Sequence, residues 1–333
     1  MKKVISLIAI ASAIFLILVI LPGCSSSSSP SLSPSLPQES RNIIVGAGDS
    51  EGIFIFDVSD PTNPAQVGHL DTNGYAYGVD VSGNYAYVAD FKNGLVIVDI
   101  TDPTSPVQIG HLYIGGTASG VYISGNYAYV ADGGNGLVVV DITEPINPVQ
   151  VGHLDTAGWA YGVLVSGNYA YVADCENGLV IVDITDPTNP MQVGHLDTDG
   201  YARGVDVSGN YAYVADGLNG LVVVDTTDPT NPVQLGHLDT DGYVNDVYLS
   251  DNYLYISGFR NRLVIVDITE PTNPVQVGHL DTDTFAYGVH VSGNYAYVAE
   301  GGNGLVIVDV SNVENPILVS DMLWMYLVGI SGM

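Results

Sequence analysis

The most regular feature of the chain is a short apolar run that ends in an aspartate and a proline-spaced turn. One copy, GLVIVDITDPTNP, extends from Gly178 to Pro190. A half-buried strand would alternate apolar and polar residues, and this run does not. Five residues bounded by Gly and Pro are too short for a buried helix. The pattern therefore predicts a β-strand that is covered on both faces.

This run recurs along the chain at a constant interval, together with NYAYVAD and GHL strings in the same register. A period of this size is typical of solenoids, propellers and arrays. The aspartates that end the run are 42 residues apart, at Asp57, Asp99, Asp141, Asp183, Asp225, Asp267 and Asp309.

Each period contains four predicted strands, which we name A to D. Gly83-Asn84 and Asn93-Gly94 are hairpin signals, and the prolines of TDPTSP end strand C. Four short antiparallel strands in about 40 residues indicate a propeller blade, whose sheet packs on both neighbours. That packing explains the apolar strand C. In one period the strands are Tyr77–Ser82, Tyr85–Ala89, Leu95–Ile100 and Val107–Leu112.

The two ends of the repeat region complement each other. The region begins at Asn42 with a strand B and ends with a strand A, YLVGISGM, and six complete repeats lie between them. We therefore predict an all-β fold for residues 42–333: a seven-bladed β-propeller of four-stranded antiparallel blades. The C-terminal strand should complete the N-terminal blade and close the ring.

The repeated strings resemble those of the LVIVD-repeat family of β-propellers. LVIVD or a close variant stands at 95–99, 137–141, 179–183, 221–225, 263–267 and 305–309. YAYVAD followed by this strand also resembles, more loosely, the YVTN-type extracytoplasmic propellers. These resemblances imply a cell-surface or secreted propeller, and they imply no catalytic residues.

The first 23 residues have the layout of a secretory signal: two lysines, then an uncharged stretch from Val4 to Leu21. Leu21-Pro22-Gly23-Cys24 resembles a lipoprotein lipobox, although Pro22 departs from its usual pattern. The resemblance implies lipidation of Cys24 and a protein anchored at the cell envelope, outside the cytoplasm. The alternative is an uncleaved membrane anchor. Residues 24–41 are rich in Ser and Pro and read as an extended tether.

Charge and cysteine content limit the partners further. With 36 acidic and 7 basic residues, the formal net charge is −29, which argues against binding to nucleic acid. Apart from Cys24 there is one cysteine, Cys175, so a disulfide framework is excluded. We expect a monomer that contacts the membrane through its lipid and binds an unidentified protein or carbohydrate.

The D–A and B–C loops lie at one end of the ring, the top face, and here the repeats differ from one another. Core packing makes the same demands on every blade, so the differences indicate either drift or an asymmetric ligand. Aromatic and acidic residues around a mouth are typical of a binding surface, here for a cationic or polyhydroxylated ligand. The candidate ligand-binding residues are Tyr75, Tyr77, Asp90, Asp132, Trp159, Tyr161, Asp174, Arg203, Asp216 and His290.

Other repeated polar residues are expected to be structural. Asp99 and its equivalents should accept backbone N–H groups in the bottom turns. One His per blade, as in GHL, is too far from the next His to share a metal ion, and we predict no metal site from them. DTDG, at Asp197 and Asp239, is half of a calcium loop, so Ca²⁺ is a weaker possibility than simple turn chemistry.

Three functions are compatible with these features. The first and favoured is a surface-tethered propeller that binds a partner without catalysis. The second is an extracytoplasmic hydrolase or lyase that uses the mouth. Its acid–base group would be His290, Arg203, Asp80 and Asp206, if these side chains converge within hydrogen-bond distance. The third is a purely structural envelope protein.

Overall fold

The computed structural model describes residues 42–259, 263–281, 284–322 and 325–333. The predicted signal peptide, the tether and Cys24 lie outside these residues. Within them, no helix is both long enough and apolar enough to span a lipid bilayer.

Seven four-stranded antiparallel sheets form the blades, as predicted. Blade 1 is split between the two ends of the described chain, and blades 2 to 7 are continuous. Blade 1 comprises β1 (Ile43–Ala47), β2 (Ile53–Asp57), β3 (Ala65–Leu70) and β28 (Gly329–Gly332). Blades 2 to 4 comprise β4 (Gly78–Ser82), β5 (Tyr85–Ala89), β6 (Leu95–Asp99), β7 (Val107–Leu112), β8 (Gly120–Ser124), β9 (Tyr127–Ala131), β10 (Leu137–Asp141), β11 (Val149–Leu154), β12 (Gly162–Ser166), β13 (Tyr169–Ala173), β14 (Leu179–Asp183) and β15 (Met191–Leu196).

Blades 5 to 7 follow the same order, and the last blade contains a 3₁₀ turn at Gly301–Asn303. Their strands are β16 (Gly204–Ser208), β17 (Tyr211–Ala215), β18 (Leu221–Asp225), β19 (Val233–Leu238), β20 (Tyr243–Ser250), β21 (Tyr253–Phe259), β22 (Leu263–Asp267), β23 (Val275–Leu280), β24 (Ala286–Ser292), β25 (Tyr295–Glu300), β26 (Gly304–Asp309) and β27 (Ile317–Met322).

The C-terminal strand closes the ring in blade 1. β28 pairs antiparallel with β1, with Val45 opposite Ser331. Beyond the paired residues, Val328 N–H donates to the Ala47 carbonyl at 2.8 Å, and Met333 N–H donates to the Ile43 carbonyl at 3.2 Å. The predicted closure is therefore confirmed.

The core lies between the blades. In β6 the side chains of Leu95, Val96, Ile97 and Val98 are all fully buried, because a neighbouring sheet covers each face. Seven apolar clusters are found among the described residues, and each joins two adjacent blades. Consecutive apolar residues in strand C are therefore the expected consequence of burial on both faces.

The glycine of the GHL string allows adjacent blades to approach closely. A Cβ atom on Gly110 would collide with the backbone carbonyl of Pro145 in the next blade, and the same contact recurs around the ring. In β27, Ser320 occupies this position instead. Its hydroxyl donates to the Pro61 carbonyl at 3.0 Å, which links the last blade to the first.

Candidate functional site

The top end of the central channel opens into a cavity of about 570 Å³, which we call the mouth. Its floor consists of glycine and apolar residues from the starts of the innermost strands, such as Gly120 and Val121. Its walls are side chains that differ from blade to blade. Those wall residues are Asp49, Tyr77, Phe91, Ser119, Trp159, Tyr161, Arg203, Asn245, Tyr287 and Tyr326.

Close packing of the innermost strands explains the glycines in the floor. A Cβ on Gly78 would lie 2.7 Å from the Ser119 carbonyl, and a Cβ on Gly162 would lie 2.6 Å from the Arg203 carbonyl. Blade 6 has Asp246 at this position, where its strand pairing is irregular between Val244 and Asp246.

Aromatic rings form most of the wall. Tyr77 packs edge-on against Phe91 with the ring centroids 5.2 Å apart. On the adjoining part of the wall, the Tyr326 hydroxyl donates to the Tyr287 hydroxyl at 2.8 Å. Trp159 keeps 41% of its side chain exposed, so part of the indole is open to a ligand.

Among the described residues that line the mouth, Arg203 is the one with a cationic side chain. Its guanidinium carbon lies 4.6 Å from the ring centroid of Tyr161 and 5.2 Å from that of Tyr243. Its Nε–H donates to the Tyr243 hydroxyl at 2.6 Å. The two rings therefore fix the guanidinium by stacking and a hydrogen bond. Its Nη groups have no hydrogen-bond partner among the described residues.

Four of the predicted site residues line the mouth: Tyr77, Trp159, Tyr161 and Arg203. Tyr75 lies beside it, half exposed, with its ring centroid 6.1 Å from that of Phe91. The four predicted aspartates and His290 do not line it. The expectation that the aspartates surround the mouth is therefore wrong for a physical reason, which is the hydrogen bonding of these carboxylates.

Each of these aspartates is fully buried in its B–C loop, where it belongs to a repeated set of hydrogen bonds that we call the loop network. In blade 2, Asp90 accepts from the Thr72 hydroxyl at 2.8 Å and from the Asn93 amide at 2.7 Å. The Asn93 amide also donates to the Thr72 carbonyl at 2.9 Å. Asp174 and Asp216 have equivalent partners. Burial raises the pKa of all four carboxyls, to about 6 for Asp216.

The loop network is incomplete in blade 3. Asp132 accepts from the Asn135 amide at 2.8 Å, but its Oδ1 has no hydrogen-bond partner and is buried. The cause is visible in the sequence, because Ile114 stands where the other loops have Thr72, Thr156 or Thr198. The Thr117 hydroxyl is also buried without a partner in this blade.

The channel below the mouth contains Asp80, Asp206 and His290. Asp80 accepts from the backbone N–H of Val81 and of Ile123 in the next blade, each at 2.8 Å. Asp206 accepts from the backbone N–H groups of Val207 and Leu249 in the same way. Desolvation raises the pKa of Asp206 to about 6 and lowers the pKa of His290 to about 4.

The proposed acid–base group is not assembled. The His290 ring packs edge-on against Tyr248, with centroids 4.8 Å apart. Arg203 donates to Tyr243, and the two aspartates accept from backbone N–H groups. Within the described part of the chain, no hydrogen bond joins any two of these four side chains. The condition set for the hydrolase or lyase alternative is therefore unmet in this geometry.

The repeated His and Asp residues have the expected structural roles. His111 Nε2–H donates to the Asn93 carbonyl at 2.7 Å, which ties the outer strand to the B–C loop, and the same bond is seen for His69, His153, His195 and His237. Asp99 accepts from the Thr101 hydroxyl and from Thr101 N–H, the latter at 2.8 Å, and both bonds lower the pKa of Asp99. Asp197 and Asp239 cap their own turns. Calcium binding there stays a prediction.

Asp49, Phe91 and Tyr326 line the mouth but were not singled out from the sequence. Asp49 and Phe91 directly follow the loop-network position and have left-handed backbones, with φ near 50°, where other blades have Gly133 or Gly217. Each forms a β-bridge to the next blade. The sequence signal that could have identified Asp49 and Phe91 was a larger side chain at a position where other blades have glycine. Tyr326 occupies the Tyr75 position of the split blade, which the shortened final segment obscured.

The comparisons with known proteins agree with this architecture. No curated protein sequence matches the chain significantly. A structure of a functionally unknown protein from Desulfotomaculum acetoxidans covers 88% of this chain and 99% of its own, at 13% identity and a TM-score of 0.73. A structure of a hypothetical selenium-binding protein from Sulfolobus tokodaii covers 87% of this chain and 93% of its own, at 11% identity and a TM-score of 0.66.

A computationally designed protein, Ika8, covers 87% of each chain at 12% identity and a TM-score of 0.65. At these identities the likeness shows the fold alone. The sequence profile of the LVIVD repeat matches seven successive segments, at residues 47–72, 73–112, 115–156, 157–198, 199–240, 241–282 and 285–323. Together with the seven closed blades, these matches show that the chain belongs to the LVIVD repeat family.

Proposed function

We propose that this protein is a binding module that holds a small ligand in the mouth of its propeller, outside the cytoplasm and tethered to a membrane. The observation that carries the proposal is the contrast within the cavity. Its floor repeats from blade to blade, whereas its walls differ and include an aromatic set and one stacked arginine.

The size and composition of the cavity support this function. About 570 Å³ is within the usual range for a site that encloses a small organic molecule. Tyr77 and Trp159 offer ring faces on different blades, and Arg203 offers directed N–H donors. Because the walls are asymmetric, a ligand would bind in one orientation.

Tryptophan fluorescence tests the proposal directly. Trp159 lines the mouth and Trp324 is the other tryptophan, so Trp324→Phe leaves one reporter. We would titrate this variant with cellobiose, benzyl alcohol, benzylamine and benzoate, one probe for each class of charge and polarity. At least one class should change the fluorescence saturably.

Two further variants show whether the signal comes from the mouth. Tyr161→Ala should weaken binding roughly threefold to tenfold by loss of stacking. Ile146→Ala, 69% exposed in a bottom-face loop, is the matched control and should leave binding unchanged. If no class gives saturable binding, or if both variants behave alike, the mouth is not a ligand site.

Membrane tethering is the second part of the proposal and rests on Leu21–Cys24 alone, outside the described residues. Cys24→Ser should abolish incorporation of a labelled fatty acid and release the protein from the membrane fraction. Labelling that persists in the variant would rule out lipidation at Cys24.

A further inference from the structure

From the geometry around Arg203 we infer that the mouth binds a small aromatic monocarboxylate, with the carboxylate on the Arg203 guanidinium and the ring between the aromatic walls. This inference rests on the proposed function and specifies its ligand. It also replaces the expectation of a cationic ligand, which depended on aspartates that the structure places in the loop network.

Arg203 is an unusual residue at this position. The chain has 36 acidic residues, and only two basic residues, Lys92 and Arg203, are in the described part. Lys92 is exposed beside the same mouth, with its ammonium 5.9 Å from the Phe91 ring centroid. Both cations of the described chain are therefore near one cavity of a strongly acidic protein.

The contacts of the Arg203 guanidinium hold it in place and leave its Nη groups available to an anion. Its Nε–H donates to the Tyr243 hydroxyl, and its guanidinium carbon lies over the Tyr161 and Tyr243 rings, 4.6 and 5.2 Å from their centroids. Its Nη groups have no carboxylate partner among the described residues. A planar guanidinium held in this way presents N–H donors in the fork geometry that suits a carboxylate. An arginine with only a structural role would ordinarily be paired with one of the many acids.

The remaining polar groups favour an apolar ligand body over a sugar. The Ser119 hydroxyl donates to the Thr117 carbonyl at 3.2 Å, and the Asn245 amide donates to the Ala286 carbonyl at 2.9 Å. The hydroxyls of Tyr287 and Tyr326 are bonded to each other. Sugar hydroxyls would have to compete with these internal hydrogen bonds, whereas a flat ring could stack on Trp159.

An acidic group elsewhere in the mouth favours a single negative charge on the ligand. Asp49 lines the mouth and belongs to blade 1, across the ring from Arg203 at the start of blade 5. A second anionic group on the ligand would approach this carboxylate. The site should therefore prefer monoanions to dianions and polyphosphates.

The test compares 2-naphthoate with its neutral isostere 2-naphthamide and with naphthalene-2,6-dicarboxylate, by isothermal titration calorimetry on the purified protein. The wild type should bind 2-naphthoate at least about tenfold more tightly than the amide, because a charged hydrogen bond is lost in the latter. The dicarboxylate should bind more weakly than 2-naphthoate. Added salt should weaken the binding of 2-naphthoate and leave the binding of the amide unchanged, because salt screens only the charge interaction.

Variants then assign the charge effect to one side chain. Arg203→Gln should remove most of the preference for acid over amide, and Arg203→Lys should retain part of it. Ile146→Ala is the control. A thermal melt checks that Arg203→Gln is folded. The preference of the wild type for acid over amide and its salt dependence test the inference even if that variant does not fold.

Three outcomes overturn the inference: equal affinity for acid and amide, an unchanged preference in Arg203→Gln, and no binding of 2-naphthoate or benzoate. The first two leave the proposed function intact if Tyr161→Ala still weakens binding. Binding of cellobiose or benzylamine with a Trp159 signal would likewise preserve the mouth as a site and reject the anionic ligand.

Discussion

The loop network and the mouth are adjacent at the top of the propeller, yet their acidic and aromatic residues serve different purposes. Asp90, Asp174 and Asp216 repeat because each accepts the same hydrogen bonds from a Thr and an Asn of its loop network. The wall residues of the mouth differ because no contact within the blade prescribes them. Position on the top face is therefore a poor guide to function, and the degree of repetition between blades is a better one.

Removing the last strand should have the largest effect, because it should disrupt both the loop network and the mouth. Deletion of Leu323 to Met333 would leave β1 and the inner edges of blades 2 and 7 without their partner. We expect aggregation and loss of a cooperative thermal transition, since unpaired strand edges associate. Light scattering with a thermal melt measures both effects. A monomer with an unchanged melting temperature would contradict closure by β28.

Breaking one loop network should lower stability and leave the mouth intact. Thr156→Val removes the hydroxyl that donates to Asp174 Oδ1 at 2.7 Å, and the buried oxygen is then unpaired. The cost should be about 1–3 kcal/mol in the free energy of unfolding, measured with urea. The exposed Thr143→Val is the control and should change little. Equal effects in the two variants would show that the network is not stabilising.

Asp246 lies in the floor of the mouth, and its effect on stability should depend on pH. Desolvation raises its pKa to about 7, so the folded state holds a proton that the unfolded state has already released above about pH 4. The contribution of the protonated Asp246 side chain to folding stability is thus present at low pH and lost as pH rises towards 7. Asp246→Gly, the residue found in most blades, should reduce the fall in melting temperature between pH 5 and 8. An unchanged slope would contradict this.

Repairing the blade 3 network should give a smaller effect of opposite sign. Ile114→Thr supplies the missing donor for Asp132 Oδ1 but removes buried apolar surface. We expect a net gain of about 1 kcal/mol or less, measured by the same urea titration. A loss of stability would show that the packing of Ile114 outweighs the hydrogen bond.

The smallest effect on stability is expected in the mouth. Trp159→Ala should change the free energy of unfolding by no more than about 0.5 kcal/mol, because the side chain is 41% exposed. Its effect should appear in ligand affinity instead. A large stability loss without any loss of affinity would assign Trp159 to the framework.

The sequence was sufficient for the architecture, because every blade restates the same strand pattern and the incomplete ends fit together. It was only partly sufficient for the site. Tyr161 and Arg203 could be placed on the mouth by strand assignment alone. Asp174 could not be placed, because whether a loop carboxylate faces a cavity or a neighbouring Thr and Asn depends on side-chain direction. His290 was predicted on the top face, but it belongs to the mid-strand position that faces the channel below.

The split blade also decides how the propeller responds to mechanical load. A pull on the chain ahead of Asn42 acts first on β1, which lies inside its sheet and is paired on one edge with β28 and on the other with β2. An outermost strand could be peeled away one hydrogen bond at a time. Detaching β1 requires both ladders to break, so the point at which tension would enter the domain is one of its best-anchored strands.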